Sequence, residues 1–106
     1  MKREIRESWI KALRSGEYAK GKGAMRQDSL HGKKYCCLGV LCEILPEVTW
    51  NGKLYAYKGG VIETQYLPPG VKALVGMSTS QEIRLAEKND AANDFETVIA
   101  DIKRNL

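Results

Sequence analysis

The sequence predicts an α+β fold, a small single domain over residues 1–106, and three observations carry that expectation. The run from Tyr35 to Leu45 is apolar on nearly every side, with Glu43 its single charge, so it reads as a buried central helix. Segments near both ends repeat apolar residues at helical spacing, which predicts an N-terminal and a C-terminal amphipathic helix packed against that centre. Between them, short stretches around Asn51-Gly52 predict a small antiparallel hairpin or sheet.

Length supports the single domain: 106 residues suffice for one core without disulfides or metal. No apolar run approaches the roughly 20 residues that a membrane-spanning helix requires, so no membrane association is expected. Met1-Lys2-Arg3-Glu4 opens a mixed-charge helix and not a secretory signal, which predicts a cytoplasmic protein. The charge is lopsided. Residues 1–34 hold ten Lys/Arg against four Asp/Glu, whereas residues 35–106 hold seven against nine, and this basic first third points to an anionic partner.

Taken in order, residues 3–15 predict the first helix, with Ile5, Trp9, Ala12 and Leu13 on one stripe and Arg3, Arg6, Glu7, Lys11 and Arg14 facing away. Glu7 precedes Lys11 by four residues, the favourable order for a helical ion pair, and Gly16 supplies a stop. Glu17 to Lys34 shows no sustained period and reads as a basic loop over Tyr18. There, Lys20-Gly21-Lys22-Gly23 could turn backbone N–H groups toward an anion, although the Walker spacing is absent.

Pro46 ends the central helix. Val48-Thr49-Trp50 and Lys53 to Tyr57 then form a hairpin on a two-residue Asn51-Gly52 turn, and Lys58-Gly59-Gly60 turns the chain into Val61 to Thr64. Alternation puts Leu54 and Ala56 on one face and Tyr55 and Tyr57 on the other, a candidate stacking platform. After Pro68-Pro69-Gly70 comes a short helical turn from Val71. Thr79-Ser80-Gln81-Glu82 is a capping box for a helix through about Lys88, and Asn89 to Ala92 is the turn. A second box, Asn93 to Glu96, opens the last helix, with Phe95, Val98, Ile99, Ile102 and Leu106 as its stripe. This closing pair is not a DNA reader: no basic recognition helix follows, and Asp90, Asp94 and Asp101 would repel phosphates.

Catalytic chemistry finds little footing. His31, Cys36, Cys37 and Cys42 are near one another, but adjacent cysteines point apart on a helix, and structural zinc sites need spaced pairs. No metal or other cofactor is expected. Cys36 or Cys37, near a helix N-terminus and after Lys33-Lys34, would be an activated thiol if exposed; their apolar neighbours favour burial.

Trp9, Ala12-Leu13-Arg14-Ser15-Gly16-Glu17-Tyr18, Gly21-Lys22-Gly23 and Tyr35-Cys36-Cys37-Leu38-Gly39-Val40-Leu41-Cys42-Glu43 together resemble a family of short phage and prophage proteins, as do Leu85, Asn89-Asp90, Phe95 and Ile99-Ala100. The likeness covers most of the chain outside the hairpin and departs at Ala92, where glycine is usual, and Asp94, where serine is. It implies a phage-encoded accessory protein in the host cytoplasm and carries over no catalytic residue. The expected function is binding: counter-defence by sequestering a small nucleotide signal, or by blocking a host protein. The expected anion site comprises Arg14, Tyr18, Lys20, Lys22, Arg26, Lys33 and Lys34, with Tyr55 or Tyr57 stacking a base. Two alternatives stand beside it, a small thiol-dependent enzyme or hydrolase using Cys36 or Cys37 and a nucleic-acid-binding accessory protein.

Overall fold

Helix α1 (Arg3–Arg14) carries the expected stripe: Trp9 is wholly buried, Leu13 nearly so, and Ile5 and Ala12 are half-buried. The Trp9 indole donates to the Cys37 carbonyl at 2.9 Å, so the ring fills the core without stranding its N–H. Glu7 pairs with Arg3 at 3.1 Å, one turn back, in place of Lys11. The computed structural model describes residues 1–52, 54–58, 60 and 62–106. Lys53, Gly59 and Val61, read above as hairpin strand, turn and strand, lie outside the described residues.

Helix α2 (Cys37–Ile44) is the buried centre, every residue from Cys37 to Cys42 being shut from solvent. It touches α1, α4 and both sheets, which accounts for its apolar circumference. It begins later than Tyr35, because Tyr35 closes a strand. Gly39 has a steric reason to be glycine. A Cβ there would overlap the Met25 carbonyl, whose oxygen accepts from Cys36 N–H at 3.2 Å. Backbone therefore crosses the helix at a distance no side chain allows. Leu45 turns extended before Pro46 and ends the helix.

The basic loop is in fact a sheet. Strands β1 (Ala19–Lys20), β2 (Arg26–Ser29) and β3 (Gly32–Tyr35) lie in the order β1-β3-β2, with β1 parallel to β3 and β2 antiparallel to it. Leu30-His31 forms the β2–β3 turn, closed by Gly32 at φ +107°.

The second sheet is an antiparallel meander of β4 (Val48–Trp50), β5 (Tyr55–Tyr57) and β6 (Ile62–Glu63). Trp50 faces Tyr55, so four residues separate the paired strands and not the two expected; within that connection Leu54 N–H donates to Asn51 Oδ1 at 2.8 Å and Asn51 N–H to the Leu54 carbonyl at 3.2 Å. Tyr55 and Ala56 are both buried, so the outer aromatic face is reduced to Tyr57, half-buried against Gly70.

Short α3 (Val71–Val75) runs between Gly70 and Gly76. Helix α4 (Thr79–Ala91) has its capping box one residue earlier than expected: Ser78 Oγ accepts from Gln81 N–H and Gln81 reaches back to Ser78 N–H. That leaves Glu82 for another task, accepting Leu67 N–H at 2.6 Å and an ion pair from Lys72 at 3.4 Å. The helix continues through Ala91, past the turn expected at Asn89. Helix α5 (Glu96–Asn105) buries Val98, Ile99 and Ile102 against the core. Phe95 stands at its N-cap without a side-chain cap, while Asp94 accepts Glu96 N–H at 3.0 Å. Among the described residues no helix is long and apolar enough to cross a membrane.

Candidate functional site

The two glycine donors of the Lys20–Gly23 stretch already have partners inside the chain. Gly21 N–H donates to the Tyr35 carbonyl at 2.7 Å, and Gly23 N–H to Asp90 Oδ1 at 2.9 Å. Asn89, wholly buried, accepts Cys37 N–H at 3.0 Å and donates to the Gly21 carbonyl at 3.0 Å and to Asp90 at 3.2 Å. The neighbouring pair Asn89-Asp90 thus clamps the loop to the N-terminus of α2, where the buried Cys37 N–H would otherwise lack a partner. The anion this loop receives is the protein's own carboxylate. Lys20 is half-buried beside it, and burial followed by the charge of Lys22 lowers its pKa. Lys22 and Lys33 are exposed, and Lys34 half-buried.

Arg26 and Tyr55 turn inward to Glu43. The Arg26 side chain is only 9% exposed; it pairs with Glu43 at 3.6 Å and lies 4.2 Å over the Trp50 ring. Glu43 also accepts from the Tyr55 hydroxyl at 3.0 Å and from Tyr35 at 3.4 Å. Burial first, then the Glu43 charge, pushes both phenols up, so each stays a neutral donor. Tyr18 stands edge-on to Tyr35 at 5.2 Å. The cluster ties both sheets to α2 and meets the need of the one charge on that helix. Tyr57 lies apart from it, under Lys58 at 5.3 Å.

The thiols are equally inward. Cys36, Cys37 and Cys42 are free and buried. Burial pushes Cys36 up to about 11 and raises Cys37 and Cys42 as well, which keeps all three protonated at neutral pH. Among the described residues no three His, Cys, Asp or Glu side chains gather as a metal site would require.

Arg14 has different company. It closes one end of a groove of about 610 Å³ that runs along the outer face of α1 to Lys103 on α5. Arg6, Ile10, Lys11 and Arg14 recur at helical spacing and so share that face. Arg6 donates to the Lys103 carbonyl at 3.1 Å, placing a cation on the last turn of α5, where unpaired carbonyls concentrate negative potential. Arg14 is held by Glu96 at 3.6 Å, with both side chains largely exposed, so the contact is weak. Among the described residues Lys11 and Lys103 have no carboxylate partner. Glu7, the one acid in the lining, is engaged by Arg3. The groove therefore offers uncompensated positive charge above the Ile10 side chain and aliphatic stems.

The nine residues expected to bind an anion do not converge. Arg14 lies in the groove; Lys20, Lys22, Lys33 and Lys34 are spread over the first sheet and its loop; Arg26 and Tyr55 serve the core. Arg6, Ile10, Lys11 and Lys103 were missed as a set. Arg6 and Lys11 read locally as a solvated helix face, and Lys103 joins them only because α1 and α5 pack side by side. The two amphipathic stripes were the available signal for that packing.

This small α+β domain, with its buried cysteine helix and cationic groove, belongs to a family whose model matches residues 1–106 and is described as "Domain of unknown function (DUF8296)". No curated protein and no solved structure matches it.

Proposed function

We propose that the chain is an accessory binding protein and not an enzyme, that its ligand is a small phosphate-bearing anion of the nucleotide class, and that the α1–α5 groove holds it. The carrying observation is the one-sided gathering of Arg6, Lys11, Arg14 and Lys103 around a groove of ligand size, with Lys11 and Lys103 unpaired among the described residues. Arg14 exchanges its exposed contact with Glu96 for a phosphate, which its planar fork grips with two hydrogen bonds. Ile10 and the aliphatic stems receive the apolar part of the ligand. Resemblance to short phage and prophage proteins supports a setting in the infected host's cytoplasm, where sequestering a small nucleotide signal would counter a defence. Burial of the three thiols speaks against the hydrolase reading.

The test is a titration of the isotope-labelled protein with mono-, di- and triphosphate nucleotides and cyclic dinucleotides, followed by NMR. Amide shifts confined to residues 6–15 and around Lys103, lost in a Lys11→Glu/Arg14→Glu variant of unchanged fold, are expected. Shifts centred on residues 20–34 would move the site to the first sheet. No shifts with any nucleotide would end the small-anion reading.

A further inference from the structure

Cations along the α1–α5 groove fall into two pairs. Arg6 donates to the Lys103 carbonyl at 3.1 Å, so these two residues share one end. At the other end Arg14 meets Glu96, the first residue of α5, at 3.6 Å, and Lys11 precedes Arg14 by less than one turn of α1. The two contacts make α1 and α5 antiparallel and fix the separation of the ends from both sides. Arg6 and Arg14 are eight residues apart on α1, about 12 Å at ~1.5 Å per residue, and Glu96 and Lys103 are seven apart on α5, about 10 Å. The side chains that line the interval between the pairs are not cationic. Ile10, half-buried, stands four residues from each arginine on their stripe, and Glu7 is an acid that accepts from Arg3.

We infer that the groove takes a ligand with two separate phosphoryl groups, one at each cation pair, joined by an uncharged organic body that lies on Ile10. This rests on the α1–α5 groove being the ligand site, and it narrows that reading to bisphosphates whose charges stand about 10 Å apart. A single phosphate engages one pair and leaves the other idle. A contiguous polyphosphate lays negative charge along the interval, over an apolar side chain and beside Glu7. A ligand anchored at one end makes its second contact intramolecularly, so affinity is greatest where the spacer matches the span.

The test is an NMR titration of the full chain with ethane-, hexane-, octane- and dodecane-bisphosphonate, the phosphonates at opposite ends of each chain, and with octylphosphonate as the one-ended control. Affinity should peak at the hexane or octane spacer, about tenfold or more above both ethane-bisphosphonate and octylphosphonate. Lys103→Glu, at an exposed position, should erase that peak with unchanged circular dichroism. Equal affinity for the ethane and octane compounds, or a rise with length that persists through dodecane, overturns the two-point inference, and so does a peak that survives Lys103→Glu. Failure of every bisphosphonate to bind overturns it as well; nucleotide-induced shifts at residues 6–15 then show that the groove reading stands, and their absence that it falls too.

Discussion

Replacing Asn89 by alanine removes both halves of a buried amide. Cys37 N–H, the first backbone donor of α2, loses its acceptor at 3.0 Å, and the Gly21 carbonyl loses its donor at 3.0 Å. Each buried group left without a partner costs about 1–3 kcal/mol. The space vacated is polar and lined by several hydrogen-bonding groups, so one water can enter and recover part of the loss. The net destabilisation should be about 2–5 kcal/mol, a large share of a domain's ~5–15 kcal/mol. For a chain of this length that lowers Tm by about 10–20 °C. Asn89→Asp separates hydrogen bonding from packing, because its shape is retained. It can still accept from Cys37 N–H, but as a carboxylate it cannot donate to Gly21 and it faces Asp90, whose Oδ1 was 3.2 Å from the Asn89 amide. Burial and the neighbouring acid raise its folded-state pKa, and a protonated acid can donate again. The deficit of Asn89→Asp relative to wild type should therefore be largest at neutral pH and shrink as pH falls toward 5. Urea unfolding of the three proteins at pH 7 and 5 reads all of this. A cost below about 0.5 kcal/mol for Asn89→Ala, or a pH-independent Asn89→Asp deficit, would refute the clamp.

Gly39→Ala should prevent stable folding or cost about 3 kcal/mol or more, because its Cβ meets the Met25 backbone and not a movable side-chain end; Tm, or soluble yield, is the measure. Asp101, buried among Arg84 at 2.9 Å, Lys88 at 2.7 Å and Asn105, has its carboxyl held below the ordinary value of 3.8, chiefly by the Arg84 hydrogen bonds. Its stabilising contribution is complete above that ordinary pKa and fades as pH falls through the depressed folded one, so the stability gap between wild type and Asp101→Asn should narrow between about pH 4 and 2 in acid unfolding. The three thiols should react with a maleimide at the rate of global opening, slowed in native buffer and immediate in guanidinium; fast labelling of Cys36 in the native state would contradict its burial.

How much of this was legible in the sequence depended on where each residue's partners lie along the chain. The stripes of α1 and α5 and the all-round apolarity of α2 announce themselves because burial acts on every turn of a helix. The first sheet did not. Arg26-Gln27-Asp28-Ser29 and Gly32-Lys33-Lys34-Tyr35 are too polar and too short for period-two alternation to register, and a Leu-His turn carries no hairpin signature. Asn89-Asp90 looked like a turn because the residue types suit one. What holds them in the last turn of α4 is a set of bonds to Gly21, Gly23 and Cys37, more than fifty positions away. The capping box slipped by one residue for a local reason: Ser78 and Thr79 are both competent caps, and the buried Glu82 is claimed by Leu67 and Lys72. Arg26 was read as a ligand-gripping cation because nothing local reveals that Glu43 waits for it on α2.

The cysteine-rich run is explained by crowding and not by reactivity. Seven neighbouring positions, Cys36 to Cys42, must meet α1, α4, both sheets and the crossing Met25 backbone with no solvent-facing side. Side chains there have to be apolar, and where backbone or helix axes come close they must also be small. Glycine meets the closest approach, at Gly39. Cysteine meets the next, since it packs as a small hydrophobe whose weak donor can still be used: Cys37 Sγ lies 3.7 Å from the Leu85 carbonyl. Oxidation or metal binding would need these thiols to leave the core. The chemistry available at the surface is instead charge, and it is gathered where two helices meet at Arg6, Lys11, Arg14 and Lys103. A core this tightly specified fixes α1 against α5, and so brings the backbone positions of those four cations together on one face.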